Sequence, residues 1–269
     1  MKPRYFKKLK LQYTLLLLCL ASLGIQAQKV IDVPLSKPGK PGRLKMSITY
    51  GSIKVIGYDG KSIQVTSEVS SRSRRGGSSG GGMRRIPNSS MRMTITEENN
   101  YVKISTSSHK RNKYVLKVPR KFDIKIRTVN SGKLEIENIE GEIEASNVNG
   151  GIYGKNISGS VLANTVNGRI MMSFSKVKPN TPMSFRGFNG RIDITLPKKT
   201  KANLKIRSDQ GQIYSDFDMV MEDKRVVREK KGNRRRITVD KWVFGKINGG
   251  GPTLTFKNYH GNVYIRQGK

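Results

Sequence analysis

From residue 132 onward the glycines of the chain recur every nine residues, at Gly132, Gly141, Gly150, Gly159 and Gly168. Two residues after each comes an aliphatic side chain: Leu134, Ile143, Ile152, Val161 and Ile170. Seven residues after the first four comes another, Ile139, Val148, Ile157 and Val166, and six after them stand Asn138, Asn147, Asn156 and Thr165. A register this short, held over four units, belongs to repeat proteins in which each turn of chain stacks on the last. Asn149-Gly150 and Asn167-Gly168 share a dipeptide that Glu140-Gly141 and Ser158-Gly159 lack, so two nonamers make one turn. The column continues at Asn189-Gly190 and as Gln210-Gly211, with longer steps that place insertions at the opposite corner, around Lys176 to Thr181. The runs after the column glycines, such as Arg191-Ile192-Asp193-Ile194, alternate with the period of a half-buried strand. Glycine before them supplies the positive φ of a sharp corner. The pattern predicts an all-β fold, a β-solenoid of about 18–22 residues per turn. In it Gly132, Gly150, Gly168, Gly190 and Gly211 form one column, Ile152, Ile170, Ile192 and Ile213 stack inside, and asparagines bond along the stack.

On either side of the regular repeat the same signals are weaker. Arg43 to Val69 reads as a degenerate first turn about Gly51 and Gly60, after an extended lead-in over residues 28–42 that contains Pro38 and Pro41. Ser70 to Ser90 has no apolar periodicity: Arg72, Arg74, Arg75, Arg84 and Arg85 lie among glycines and serines, which predicts a flexible loop. Met91–Thr96, Tyr101–Thr106 and Tyr114–Val118 read as strands, with a turn over Glu97 to Asn100, and Phe122 to Val129 leads into the repeat. A second basic insertion, residues 222–236, carries Arg225, Arg228, Lys230, Lys231, Arg234, Arg235 and Arg236 and reads as a protruding hairpin or loop. Trp242 and Phe244 follow, to cap the stack by packing, the commoner role, or to form an aromatic contact surface. Asn248 to Pro252 is a tight turn, after which Thr253–Phe256 and Asn262–Ile265 repeat the column pattern about Gly261, with His260 in the place of the asparagine. The repeat domain thus spans residues 43–269.

The first 27 residues follow another logic. Lys2, Arg4, Lys7, Lys8 and Lys10 precede a short apolar core, Leu15 to Leu23, and Ala27 offers a small residue for cleavage. This is the pattern of a secretory signal peptide, too short in its apolar run to span a bilayer. Cys19 lies inside the apolar core without the small residues that precede a lipidated cysteine. It is the chain's single cysteine, so the exported product has neither disulfide nor thiolate chemistry. No second run is long enough to be a membrane-spanning helix. The expected location is the periplasm, the outer surface or the extracellular space; the oligomeric state is not encoded.

Charge changes the picture most. The net charge is +33, and removal of the five leader cations leaves +28 on residues 28–269. Such a field favours acidic polysaccharide, lipopolysaccharide or another polyanion, without specificity for nucleic acid. The two basic insertions are the candidate contacts: Arg72, Arg74, Arg75, Arg84 and Arg85, with the seven cations from Arg225 to Arg236. The one dense acidic cluster, Glu135, Glu137, Glu140, Glu142 and Glu144, alternates with aliphatic residues and reads as a solvated face paired with lysine and arginine. Two histidines, His109 and His260, make no metal site, and no nucleophile elbow, phosphate loop or dinucleotide fingerprint occurs. No cofactor and no catalytic set is expected.

The runs Asn147-Val148-Asn149-Gly150-Gly151-Ile152 and Thr165-Val166-Asn167-Gly168-Arg169-Ile170, closed by Ile247-Asn248-Gly249-Gly250-Gly251-Pro252 and a final strand pair, resemble the putative adhesin family of exported bacterial proteins. The resemblance covers roughly Arg43 to Arg266. It implies a right-handed, single-stranded β-solenoid and no catalytic residues. A non-catalytic envelope or surface protein that binds anionic polymers is therefore the expected function. The alternative is a polysaccharide lyase or hydrolase on a β-helix scaffold, a choice that fold alone does not decide.

Overall fold

The computed structural model describes residues 30–69, 93–107, 111–130, 132–222, 226–231, 234–239 and 241–268. The leader, the arginine-rich stretch 70–90 and His109 lie outside them. Among the described residues every regular element is a strand. The N-terminal part holds β1 (Val30–Pro34), the long β2 (Arg43–Tyr58), β3 (Ser62–Val69), β4 (Met93–Glu98), β5 (Tyr101–Thr106) and β6 (Asn112–Pro119). The regular repeat follows as β7 (Asp123–Asn130), β8 (Leu134–Glu137), β9 (Ile143–Asn149), β10 (Ile152–Ile157), β11 (Val161–Asn167), β12 (Ile170–Phe174), β13 (Met183–Asn189) and β14 (Ile192–Pro197). After them come β15 (Ala202–Gln210), β16 (Ile213–Ser215), β17 (Val220–Glu222), β18 (Val226–Lys231), β19 (Arg234–Val239), β20 (Val243–Ile247), β21 (Thr253–His260) and β22 (Val263–Gly268). Twenty strands form one large, mostly parallel sheet, and β18–β19 form a separate antiparallel hairpin.

Within the large sheet, successive strands of the repeat alternate between two parallel ladders. The first ladder runs β5, β2, β7, β9, β11, β13, β21, β15. The second runs β6, β2, β8, β10, β12, β14, β22, β16. The long β2 belongs to both, turning the corner at Gly51. Leu134, Ile152 and Ile170 pair at eighteen-residue steps and Ile170 with Ile192 at twenty-two, as the repeat predicts. Alternate side chains point into a common core. Ile124, Ile143, Val161, Met183, Leu254 and Leu204 are buried on the first ladder, and Leu134, Ile152, Ile170, Ile192 and Val263 on the second. Each fully buried aliphatic of this size contributes roughly 1.5–3 kcal/mol relative to exposure. The aromatic layer Phe185–Phe256, with ring centroids 5.2 Å apart, fills the wider turns.

The ends differ from the middle. At one end antiparallel strands finish both ladders, β4 on β5, β3 on β6 and β1 on β3; at the other, β20 on β15 and β17 on β20 finish the first ladder. Reversing direction interrupts the parallel template that would otherwise invite further strands. This corrects the reading of Arg43 to Val69 as one terminal turn. Only β2 is a turn; β3 doubles back, and β5–β6 stack outside β2. The lead-in 28–42 likewise contains β1, a strand paired with β3.

The stacking order is the larger correction. The C-terminal turn, β21–β22, lies between β13–β14 and β15–β16. Ile213 therefore stacks on Val263, not on Ile192. A β-carbon built on Gly132, Gly150, Gly168, Gly190, Gly261 or Gly211 would overlap the carbonyl oxygen of Gly51, Gly132, Gly150, Gly168, Gly190 or Gly261, respectively. Close approach of backbones, rather than positive φ, selects glycine at most of these corners: of the seven, only Gly51, Gly190 and Gly261 have positive φ.

Two polar columns flank the glycines. Outside, Asn149 Nδ2 donates to Asn130 Oδ1 at 3.2 Å, Asn167 to Asn149 at 2.9 Å and Asn189 to Asn167 at 2.8 Å. Inside, Thr128, Asn147, Thr165, Asn258 and Ser208 each donate to the carbonyl of the column glycine one turn away, Gly51, Gly132, Gly150, Gly190 and Gly261, at 2.8–3.0 Å. These corner carbonyls are thereby satisfied although the corner glycines are buried or half-buried. The outer ladder matches the expected asparagine stack.

Candidate binding face

Because side chains of a strand alternate, each ladder has an outward face set by residues one apart from the core positions. On the first ladder one outward column reads Arg127, Ser146, Asn164, Arg186, Lys257 and Arg207, from β7, β9, β11, β13, β21 and β15. The next outward positions are Val148, Val166, Phe188, Tyr259 and Asp209. Val166, Phe188 and Tyr259 are 42%, 47% and 39% exposed, unusual for apolar side chains placed side by side. The Phe188 and Tyr259 rings stack on one another, 4.9 Å between centroids and 2° between planes, and His260 meets both edge-on. These residues line a shallow trough of about 670 Å³, within the size range of ligand sites.

The charges of this face are unevenly satisfied. Arg207 grips Asp209 with hydrogen bonds of 2.9–3.2 Å, and Lys241 approaches the same carboxylate at 3.7 Å. The Arg207 guanidinium, reinforced by Lys241, holds the Asp209 carboxyl below its ordinary range. Arg127, Arg186 and Lys257 have no carboxylate within ion-pair distance among the described residues. Three of the five clustered repeat carboxylates pair with lysines, Lys54 with Glu137 at 2.9 Å, Lys133 with Glu135 at 2.7 Å and Lys125 with Glu144 at 2.7 Å. On the second ladder's outward face Arg266 holds Asp193 at 2.7 Å beside the Tyr214–Tyr264 stack. Arg127, Arg186 and Lys257 thus form an uncompensated set within one outward column of the first ladder.

The residues that sequence singles out as anion contacts are placed only in part. Arg72, Arg74, Arg75, Arg84, Arg85 and Arg225 lie outside the described residues. Arg228, Lys230, Lys231, Arg234, Arg235 and Arg236 belong to the β18–β19 hairpin, whose register sets Lys230 across from Arg235 and Lys231 across from Arg234. Trp242 and Phe244 sit at the stack end, where the Lys205 ammonium lies 4.6 Å and 5.8 Å from their rings. His260 occupies the corner, in register with Asn189 and Gln210. Among the described residues no group of three acidic, histidine or cysteine side chains could hold a metal ion.

No family model matches the chain, and no curated protein matches it. Among solved structures it is similar to a putative cell adhesion protein from Clostridium sporogenes ATCC 15579, at 12% identity over 90% of this chain and 99% of that one, with a TM-score of 0.51. It also aligns with a putative adhesin from Bacteroides fragilis NCTC 9343, at 11% identity over 90% and 97% of the two chains, with a TM-score of 0.32. The first likeness is one of fold, and it accords with the resemblance to the adhesin family.

Proposed function

We propose that the chain is an exported, non-catalytic binding protein of the cell envelope or surface that associates with anionic polymers through its outward faces. The scaffold in this reading is a right-handed β-solenoid, the hand that the family resemblance implies. One observation carries the reading. Arg127, Arg186 and Lys257 face solvent in a single column without described carboxylate partners. An array of unpaired cations on a rigid surface attracts polyanions and costs little to hold in place. The description of the Clostridium structure as a cell adhesion protein points the same way. Of the clustered repeat carboxylates, Glu135, Glu137 and Glu144 are engaged in ion pairs with lysines, which favours binding over turnover by these three.

The test is a screen of the leaderless protein against acidic and neutral polysaccharides at two salt concentrations, with product analysis. Binding to acidic polymers that weakens steeply with salt, without shortening of the polymer, is the expected result. Salt-insensitive binding of a neutral glycan, or release of unsaturated or shortened oligosaccharides, contradicts the proposal.

A further inference from the structure

Resting on the reading above, we infer that the trough on the outward face of the first ladder is a site for an acidic pyranose polysaccharide, a uronic-acid chain lying along the stack axis across β7 to β21. Four features of the trough select this ligand class. The cations are not continuous: Arg127 stands at one end, Arg186 and Lys257 at the other, and neutral Ser146 and Asn164 fill the rungs between. A polymer with a charge on every unit and no other recognition element would be better served by an unbroken cationic column. Beside the gap runs an apolar shelf, Val148 and Val166, ending at Phe188 and Tyr259. A pyranose presents both an apolar C–H surface, which such a shelf accepts, and hydroxyls, which Ser146 and Asn164 meet. Its carboxylate fits the two-pronged guanidinium of Arg127 or Arg186.

The aromatic pair also argues against a nucleic-acid ligand. Bases bind by stacking on open ring faces. Phe188 and Tyr259 already cover one face of each other at 4.9 Å, and His260 packs edge-on against both. The pair is a rigid wall at the end of the shelf, preorganised by the rung spacing of the ladder. Asp209, neutralised by Arg207 and Lys241, does not repel an anion there.

The experiment measures affinity of the leaderless protein for oligogalacturonate, for an alginate oligomer, for a neutral glucan and for single-stranded DNA of matched charge. Three variants accompany the native chain: Arg186→Ala with Lys257→Ala, Phe188→Ala with Tyr259→Ala, and Arg234→Ala with Arg235→Ala and Arg236→Ala in the hairpin. A cooperative thermal transition of each variant confirms folding. The expected result is binding of at least one of the two uronates, weakened tenfold or more by the first two variants and less than threefold by the hairpin variant. The aromatic variant should reduce uronate binding without flattening its salt dependence, whereas the Arg186/Lys257 variant should do both. If uronates bind but only the hairpin variant weakens them, this site is wrong and the general polyanion reading survives. DNA binding as tight as uronate binding, through the same residues, overturns the glycan assignment. Binding of no acidic polymer overturns both.

Discussion

At the residue scale the corner is governed by two positions, a glycine on every turn and a threonine, asparagine or serine donor on all but the β13 turn, where Gly187 stands. At the column glycine, the carbonyl of the neighbouring turn occupies the space of a side chain. Gly150→Ala forces that carbonyl and its turn apart, and the expected loss is at the upper end of about 1–3 kcal/mol, the range for overpacking. It reads out as a lower urea midpoint with unchanged slope. The buried donor two residues before the Asn-Gly pair is the second position. Asn147→Ala leaves the Gly132 carbonyl unpaired inside the protein, at a cost of about 1–3 kcal/mol. Asn147→Thr should recover most of that loss, because Thr128 and Thr165 serve the same role on other turns. A threonine variant as unstable as the alanine variant would remove the corner donor from the account. Glu97 gives a pH handle on the N-terminal strap. It accepts from Ser36 N at 3.0 Å, Ser36 Oγ at 2.7 Å and Asn100 N at 2.9 Å. Chiefly the Ser36 backbone and hydroxyl, then the Asn100 amide, hold its carboxyl below the ordinary range. A folded-state value lowered in this way contributes stability above the ordinary glutamate range and loses it as pH falls through the folded value. Protection of the Ser36 and Asn100 amides, taken relative to the intrinsic exchange rate at each pH, should therefore fall on acidification below the ordinary glutamate range in the native chain, and Glu97→Gln should remove that dependence.

At the element scale the inserted C-terminal turn is the unexpected feature. β21 supplies partners to both β13 and β15, and β22 to both β14 and β16. The strap that leads into it, Asn248 to Pro252, is stitched to the preceding corner. Asn248 Nδ2 donates to the carbonyls of Lys198 and Thr200 at 3.0 and 2.7 Å, and Asn203 Nδ2 donates to Gly251 O at 2.7 Å. A chain ending at Pro252 should lose its cooperative thermal transition, because two ladders are interrupted internally. Retention of a sharp transition near the native midpoint would indicate that only a terminal rung had been removed. The strands and their inward faces from Gly132 to Gly190 were legible in the sequence because each turn follows its neighbour at a fixed step. The insertion was not. Gly190, Gly211 and Gly261 carry the same corner signal, and spacing says nothing about which of three equivalent turns lie next to one another. The antiparallel β3 was hidden for a related reason: Ile63 and Val65 alternate inward in either direction.

At the scale of the whole molecule the same limit explains which cations could be found by reading the chain. Arg72 to Arg85 and Arg225 to Arg236 stand out as runs. Arg127, Arg186, Lys257 and Arg207 are single residues spread over 130 positions, gathered only by the ladder. Phe188 and Tyr259 are likewise seventy-one residues apart in sequence and stacked in the fold. The face thus exists only if the C-terminal turn lies between β13 and β15, and this is the claim on which fold and function both depend. Cysteine cross-linking tests it directly, since Cys19 is the chain's one cysteine and is readily replaced. Asn189 is paired with His260, and His260 with Gln210, so Asn189 and Gln210 are two rungs apart. Neighbouring rungs are about 4.8 Å apart and two rungs about 10 Å, on either side of the roughly 7 Å limit for a disulfide. Under mild oxidation, Asn189→Cys with His260→Cys should form an intramolecular disulfide and Asn189→Cys with Gln210→Cys should not. Cross-linking of 189 to 210, with none between 189 and 260, would show a stack in sequence order and contradict the account.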